Sequence, residues 1–96
     1  MIIIDVQVNG GVLPIPIKVF IDNIDNSDDF RFTRTTSFNE HVALAKGRYM
    51  LTISGMNPDE GHTIMKITGD FSEKPTPAAE QRGDKRFFSK LFYFEI

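Results

Sequence analysis

The fold of this chain is decided by one stretch, Leu44-Ala45-Lys46-Gly47-Arg48-Tyr49-Met50-Leu51-Thr52-Ile53-Ser54-Gly55. Its second half alternates apolar and polar residues, which is the pattern of a half-buried β-strand. Leu44, Gly47 and Tyr49 have the spacing with which β-sandwiches cross from one sheet to the other. In that arrangement the tyrosine ring packs in the core and its hydroxyl bonds to nearby backbone. The stretch therefore predicts a sheet crossing that enters a strand at Tyr49.

The same alternation recurs on both sides of this stretch and predicts a chain made of strands. Besides the strand that follows Gly47, we predict six others, over residues 2–8, 15–21, 30–35, 38–44, 63–71 and 86–96. Turn residues separate them, and no segment has the period of a helix of three turns. Seven strands at this spacing predict an all-β fold, a seven-stranded antiparallel Greek-key β-sandwich that forms a single domain over residues 1–96.

Several local features qualify this strand pattern. Pro14 and Pro16 cannot donate to a ladder, so the second strand is expected to begin at a sheet edge or a bulge. Glu40 is a polar exception on the apolar face of its strand, and Gly69 indicates a bulge or a close backbone approach. We expect residues 55–62 to close a hairpin. Residues 72–85 have no clear pattern, although 78–82 fit one helical turn.

Length and composition exclude several functional classes. The chain has 96 residues, a net charge of −2 and no cysteine. A nucleic-acid partner is not expected, because phosphate binding needs a clustered excess of Lys and Arg. The absence of cysteine excludes thiolate chemistry and the common zinc clusters. No apolar run is long enough to cross a membrane, and no signal peptide begins the chain. We expect a cytoplasmic protein if the chain is complete, and an exported one if it is a piece of a longer chain.

One acidic segment is the best candidate for a metal site. Asp22, Asp25, Asp28 and Asp29 lie within one segment of eight residues, 22–29, which is predicted to be a turn. Ca²⁺ binds several carboxylate and carbonyl oxygens from flexible loops, although the spacing here is not that of an EF-hand. The alternative is a solvated turn whose Asp and Asn side chains make local hydrogen bonds. Ca²⁺ is the only cofactor that the sequence suggests.

No catalytic constellation can be assembled from the sequence. His41 and His62 are the only histidines, and neither has a partner at ligand or catalytic spacing. Ser54-Gly55 lacks the flanking residues of a nucleophile elbow, and Gly10-Gly11 is followed by no phosphate-binding helix. We therefore expect a protein that is not an enzyme.

The last predicted strand is apolar on both faces. Phe88, Phe92, Phe94 and Ile96 share one face, and Phe87, Leu91 and Tyr93 share the other. Such a strand is either central in its sheet or covered by something outside the core. If residues 72–85 do not cover Phe87, Leu91 and Tyr93, these three side chains form an exposed apolar patch of the kind that marks an interface.

Residues 44–53 resemble a strand entry, Leu-x-x-Gly-x-Tyr, found in transthyretin-like and carboxypeptidase-regulatory-like sandwiches. They are also similar to the tyrosine corner of fibronectin type III-like, immunoglobulin-like domains. The resemblance implies a non-catalytic module that supports neighbouring domains, binds partners or stabilises surface proteins. The histidine-rich site and the Tyr-Arg-Gly-Ser motif of the transthyretin-like hydrolases are missing from this sequence.

Two functional hypotheses follow. The first is a non-catalytic module that works by protein–protein association, as a homo-oligomer or with a protein partner, for example as a structural subunit of a bacterial assembly. Edge-strand addition or the outer face of the last strand would supply the contact. The second is a Ca²⁺- or glycan-binding module that uses the loops at the sandwich ends. The chain lacks Trp, so it offers no obvious platform for stacking a sugar.

Overall fold

The computed structural model describes every residue, 1–96, and contains eight β-strands and no helix. The strands form two antiparallel four-stranded sheets that pack face to face. The first sheet has the order β4-β1-β6-β7, and the second sheet has the order β3-β2-β5-β8. The strands are β1 (Ile2–Asn9), β2 (Ile17–Asn23), β3 (Asp29–Arg34), β4 (Phe38–Val42), β5 (Arg48–Met56), β6 (His62–Gly69), β7 (Glu80–Gly83) and β8 (Phe87–Glu95).

The core lies between the two sheets and is made by the inward face of each long strand. On β1, for example, Ile2, Ile4 and Val6 are buried while the residues between them are not. Burying an aliphatic or aromatic side chain of this kind contributes about 1.5–3 kcal/mol each. Fifteen residues form this core: Ile2, Ile4, Val6, Ile17, Val19, Ile21, Val42, Tyr49, Leu51, Ile53, Met65, Ile67, Phe88, Phe92 and Phe94.

The predicted sheet crossing between β4 and β5 is confirmed. β4 belongs to the first sheet and β5 to the second, so residues 43–47 carry the chain across the end of the sandwich. The Tyr49 ring is buried and stacks on Phe94 with a centroid distance of 5.5 Å. Its hydroxyl donates to the Ala45 carbonyl oxygen at 2.7 Å. Gly47 and Ile96 exchange two backbone hydrogen bonds, of 3.1 and 2.9 Å, which fix the crossing to the end of the chain.

The prediction of seven strands is wrong, because the structure has an eighth, β7. Residues 78–82 do not form a helical turn; Glu80–Gly83 pair with β6 at the edge of the first sheet. This strand has four residues, mostly polar, and only Gly83 among them is buried. It was missed because so short an edge strand carries no apolar alternation.

The predicted hairpin over residues 55–62 is also wrong. β5 and β6 lie in different sheets, so this connection also crosses from one sheet to the other. Asn57, which is 1% exposed, holds it in place. Its amide nitrogen donates to the carbonyl oxygens of Gly83 and Lys85, at 2.9 and 2.6 Å, and its amide oxygen accepts from the Thr63 hydroxyl at 2.5 Å. One side chain thus joins the β5–β6 crossing to the connection between β7 and β8.

Neighbouring groups explain the two exceptions to the strand pattern, Glu40 and Gly69. Glu40 lies on the inward side of β4 because Arg34, on the adjacent edge strand β3 of the other sheet, pairs with it at 2.7 Å. Gly69 marks a close backbone approach, as predicted: a Cβ there would lie 2.7 Å from the Met1 carbonyl oxygen.

The second strand starts later than its sequence suggested. β2 begins at Ile17, after both prolines, and Ile15 is exposed. The strand is flanked by β3 and β5 on its two sides, so the prolines precede a central strand and do not mark an edge. Their missing donors are therefore not needed for pairing.

Candidate interaction surface

The outer face of the second sheet is organised in rows by the strand register. Phe20 of β2, Thr52 of β5 and Leu91 of β8 are cross-strand neighbours in one row. The next row contains Asp22, Met50 and Tyr93, on the same three strands. Since the side chains of a row lie on one face, Met50 lies beside Tyr93 and diagonal to Phe20 and Leu91, while Thr52 separates Phe20 from Leu91. We call Phe20, Met50, Leu91 and Tyr93 the apolar patch.

The apolar patch is open to solvent. Leu91 and Tyr93 are 39% and 43% exposed, and Phe20 and Met50 are half-buried. Phe87, the third residue that the sequence suggested, is 69% exposed but lies further along β8, beyond Ser89, opposite Met56. The sequence pattern therefore identified the β8 part of this surface. It missed Phe20 and Met50, because only the strand register shows that they share this face with Leu91 and Tyr93.

Residues 72–79 cover the edge of β8 and leave its outer face free. Thr76 and Tyr93 exchange two backbone hydrogen bonds, of 2.9 and 2.7 Å. The Ser72 amide donates to the Glu95 carbonyl oxygen, and the Gln81 side chain donates to the Leu91 carbonyl oxygen. The backbone groups that this edge strand would offer to another chain between residues 91 and 95 are thus largely occupied.

The outer face of the first sheet is polar by comparison. Its rows are set by the register of β4, β1 and β6, and place Ile3 between His41 and Thr68, and Asp5 between Asn39 and Lys66. Only Ile3 and Ile64 are apolar among the outward residues of β1 and β6 in this face. The two outer faces of the sandwich therefore differ in character, and the larger apolar surface belongs to the second sheet.

Charged and hydroxyl side chains flank the apolar patch on β2 and β3. The Arg31 guanidinium lies over the Phe20 ring, 4.6 Å from its centroid, and is 3.9 Å from the Asp29 carboxylate. A shallow depression of about 620 Å³ lies beside Phe20. It is lined by Lys18, Val19, Phe20, Arg31, Phe32, Thr33, Thr52 and Ser54. The surface thus combines aromatic and aliphatic area with hydrogen-bonding groups and charges, as protein interfaces do.

A second exposed aromatic surface lies at the side of the sandwich where β3 and β4 are the edge strands. Phe30 is 48% exposed and contacts Phe32 edge to face at 5.7 Å. Phe32 contacts Phe38 of β4 in the same way, also at 5.7 Å. A groove of about 220 Å³ runs beside them, between Phe30 and Leu44. This side is less extensive than the outer face of the second sheet.

The acidic segment is not one turn, and its carboxylates do not converge. Asp22 belongs to β2, near its end, and lies opposite Asp29, the first residue of β3. Only residues 24–28 therefore form the turn. The Asp28 amide donates to the Asn26 side-chain oxygen at 2.8 Å. No three His, Cys, Asp or Glu side chains come together anywhere in the chain in a way that could hold a metal ion. The Ca²⁺ site over Asp22, Asp25 and Asp28 stays a prediction, and a calorimetric titration with CaCl₂ tests it.

Asp25 is engaged by Arg48, the first residue of β5. The Arg48 guanidinium donates to the Asp25 carboxylate at 2.5 and 3.1 Å, and the Arg48 amide donates to it at 3.2 Å. These hydrogen bonds favour the ionised carboxylate, so the pKa of Asp25 lies below its ordinary value of 3.8, and the pKa of Arg48 is raised. The pair connects the β2–β3 turn to the start of β5.

The two histidines lie far apart. His41 is opposite Ile3 near the start of β1, and His62 is opposite Asn9 at its end. Six residues of extended strand separate these positions by about 20 Å. The structure therefore does not bring His41 and His62 to one site.

No family model, curated protein or solved structure matches this chain. The chain forms no helix with the length and apolar character needed to cross a membrane.

Proposed function

We propose that this protein is a non-catalytic β-sandwich module that works by protein–protein association through the outer face of the second sheet. The observation that carries the proposal is the apolar patch of Phe20, Met50, Leu91 and Tyr93, in which Leu91 and Tyr93 are exposed and only Phe20 has a side chain, Arg31, over its ring. Contiguous apolar area with a polar rim is typical of interaction sites. A structural subunit of a bacterial assembly is the kind of protein that we favour.

We also propose that the sandwich is of the Greek-key kind seen in transthyretin-like or immunoglobulin-like modules. The support is the crossing at Tyr49, whose hydroxyl bonds back to Ala45, four residues earlier. Modules of this kind commonly associate with other proteins or domains, which agrees with the proposed role.

The non-catalytic role stays part of the proposal, and the two titratable groups with clearly shifted pKa values form an ion pair at the surface. Perturbed pKa values mark many active sites, where burial and specific charge partners combine in a cleft. Here the clear shifts belong to Asp25 and Arg48, and both arise from their own exposed ion pair. Neither histidine side chain has a hydrogen-bond partner in the chain that would orient it as a general base.

Face-to-face contact is a better mode of association for β8 than strand addition. Its edge is occupied by Thr76, Ser72 and Gln81 over residues 91–95. Its outward side chains remain available. Strand addition is still open to β3 and β4, whose edges no other strand covers.

Sedimentation velocity and affinity capture test this proposal with two matched variants. Leu91→Glu places a charge in the apolar patch, and Ile3→Glu makes the same kind of change on the outer face of the first sheet. We expect wild type and Ile3→Glu to form complexes, with themselves or with a captured protein, and Leu91→Glu to lose them. If wild type sediments as a monomer and captures nothing, or if Leu91→Glu behaves as wild type, the proposal is wrong.

A further inference from the structure

The outer face of β2 carries opposite charges on either side of an aromatic ring. Lys18, Phe20 and Asp22 follow one another on this face, and neither Lys18 nor Asp22 has an ion-pair partner in the chain. Asp22 is half-buried and stands directly opposite Asp29 on β3. Like charges opposite each other on neighbouring strands are unfavourable, so this arrangement is held at a cost in stability. A surface that presents a cation to Asp22 would relieve it.

We infer that the partner on this face is a second copy of this chain, related by a two-fold axis that crosses the strands along the row of Phe20, Thr52 and Leu91. The inference rests on the proposed function and names its partner. A two-fold axis in this direction reverses the strand direction of the second copy. Lys18 of one copy then meets Asp22 of the other, and the pair occurs twice.

The same axis brings two residues of the apolar patch into contact with their own counterparts and sets the other two, Met50 and Tyr93, against Ser54 and Ser89. Phe20 and Leu91 lie on the axis row, so each packs near its own counterpart. Tyr93 and Ser89, one row to either side of Leu91, face each other across the interface. Two sheets packed in this way are about 10 Å apart and rotated by about 30°. Arg31 of β3 continues the axis row beside Phe20, so the two copies' Arg31 side chains also face each other. Each has Asp29 of its own strand as an ion-pair partner, which reduces their repulsion.

The size of the face indicates how tight the dimer is. Four strands and about seven residues of length give a face of about 19 by 23 Å. Such an area belongs to the small, reversible class of interfaces. We therefore expect a dimer that dissociates on dilution, with a Kd of about 10 to 500 µM.

Charge exchange between positions 18 and 22 tests this arrangement by sedimentation equilibrium. Lys18→Glu alone and Asp22→Lys alone each place like charges opposite each other twice, so each is expected to weaken dimerisation by about tenfold or more. The double variant Lys18→Glu/Asp22→Lys restores opposite charges across the axis and is expected to restore the wild-type Kd. Lys46→Glu, at an exposed site in the β4–β5 crossing, matches the charge change of Lys18→Glu and is expected to leave the Kd unchanged.

The results of these experiments distinguish a failure of the two-fold dimer from a failure of the proposed function. If the double variant stays as weak as the single variants, or Lys46→Glu weakens the dimer equally, the two-fold arrangement is wrong. If wild type is monomeric at about 1 mM yet captures another protein through Leu91, the second copy is the wrong partner and the proposed function stands. If it is monomeric and no capture depends on Leu91, both are wrong. Thermal unfolding of each variant shows that a lost dimer is not a lost fold.

Discussion

Single side chains hold the connections of this sandwich where the strands cannot. Tyr49 closes the β4–β5 crossing through its hydroxyl, Asn57 joins two further connections, and Asp25 fixes the β2–β3 turn to Arg48. Tyr49 binds a backbone carbonyl four residues earlier, Asn57 binds backbone carbonyls 26 and 28 residues away, and Asp25 binds a guanidinium 23 residues away. Five of the seven connections change sheets, and Tyr49 and Asn57 bind at three of these five.

Replacing Tyr49 with Phe removes one hydrogen bond and keeps the ring in the core. The Ala45 carbonyl loses its donor, while the stacking on Phe94 remains. We expect the free energy of unfolding to fall by about 1 kcal/mol, measured by urea denaturation. Association through the outer face should be unchanged. Loss of binding without a lower melting temperature would show that Tyr49 has a direct role in function.

Replacing Asn57 with Ala is expected to be more damaging. Three hydrogen bonds disappear, and the Gly83 carbonyl is left buried without this donor. We expect a loss of about 3 kcal/mol in the free energy of unfolding. Thr63→Val removes only the hydroxyl that donates to Asn57 and serves as the milder comparison, at about 1 kcal/mol. Equal effects of the two variants in urea denaturation would contradict the central position of Asn57.

The Asp25–Arg48 pair gives stability a dependence on acid pH. The pKa of Asp25 is lowered in the folded protein, so its contribution is fully present above the ordinary value of 3.8 and is lost as the pH falls through the lowered pKa. We expect the melting temperature of wild type to fall more steeply below that pH than the melting temperature of Asp25→Asn. Circular dichroism melts across this range measure the difference. Parallel pH profiles of the two proteins would show that the pair does not stabilise the fold.

The strands that the sequence predicts well are those in which apolar and polar residues alternate. The inward residues of β1, β5 and β8 follow the period-2 pattern, and the structure buries them. β7 could not be found this way, since its four residues pair through backbone and bury almost no apolar area. The sequence does not distinguish a hairpin from a sheet crossing at the β5–β6 connection, because glycine, proline and asparagine occur in both.

Only part of the apolar patch can be predicted from the sequence. Leu91 and Tyr93 were visible in the sequence because a strand that is apolar on both faces stands out. Their neighbours Phe20 and Met50 were not, because neighbours across strands depend on register, and register is set by long-range pairing. The bonds made by Asn57 were hidden for a related reason, since its acceptors lie 26 and 28 residues away.

The segment over residues 72–79 protects the edge of β8, and a proline substitution tests this role. Thr76→Pro removes the amide that donates to the Tyr93 carbonyl oxygen. We expect a loss of about 1 kcal/mol, faster hydrogen exchange at the Tyr93 amide and more aggregation, because an uncovered edge strand pairs with other chains. Thr76→Ala keeps the amide and is the control. Unchanged exchange at Tyr93 in Thr76→Pro would mean that the edge is protected by other contacts.

The molecule as a whole is asymmetric. One outer face is polar, and the other carries the apolar patch together with the unpaired charges of Lys18 and Asp22. The sandwich closes the β8 edge with its own chain but covers neither outer face. Association through the outer face of the second sheet, with a second copy as its partner, accounts for both the patch and the charges.

Methionine methyl NMR detects association through this face, because one spectrum contains both the probe and its controls. Met50 lies in the apolar patch, Met65 is fully buried in the core, and Met1 is exposed at the start of the first sheet. Between about 20 µM and about 1 mM protein, we expect the Met50 resonance to shift while the resonances of Met65 and Met1 stay in place. A Met50 resonance that does not move over this range, or that moves no more than Met1, would contradict the account.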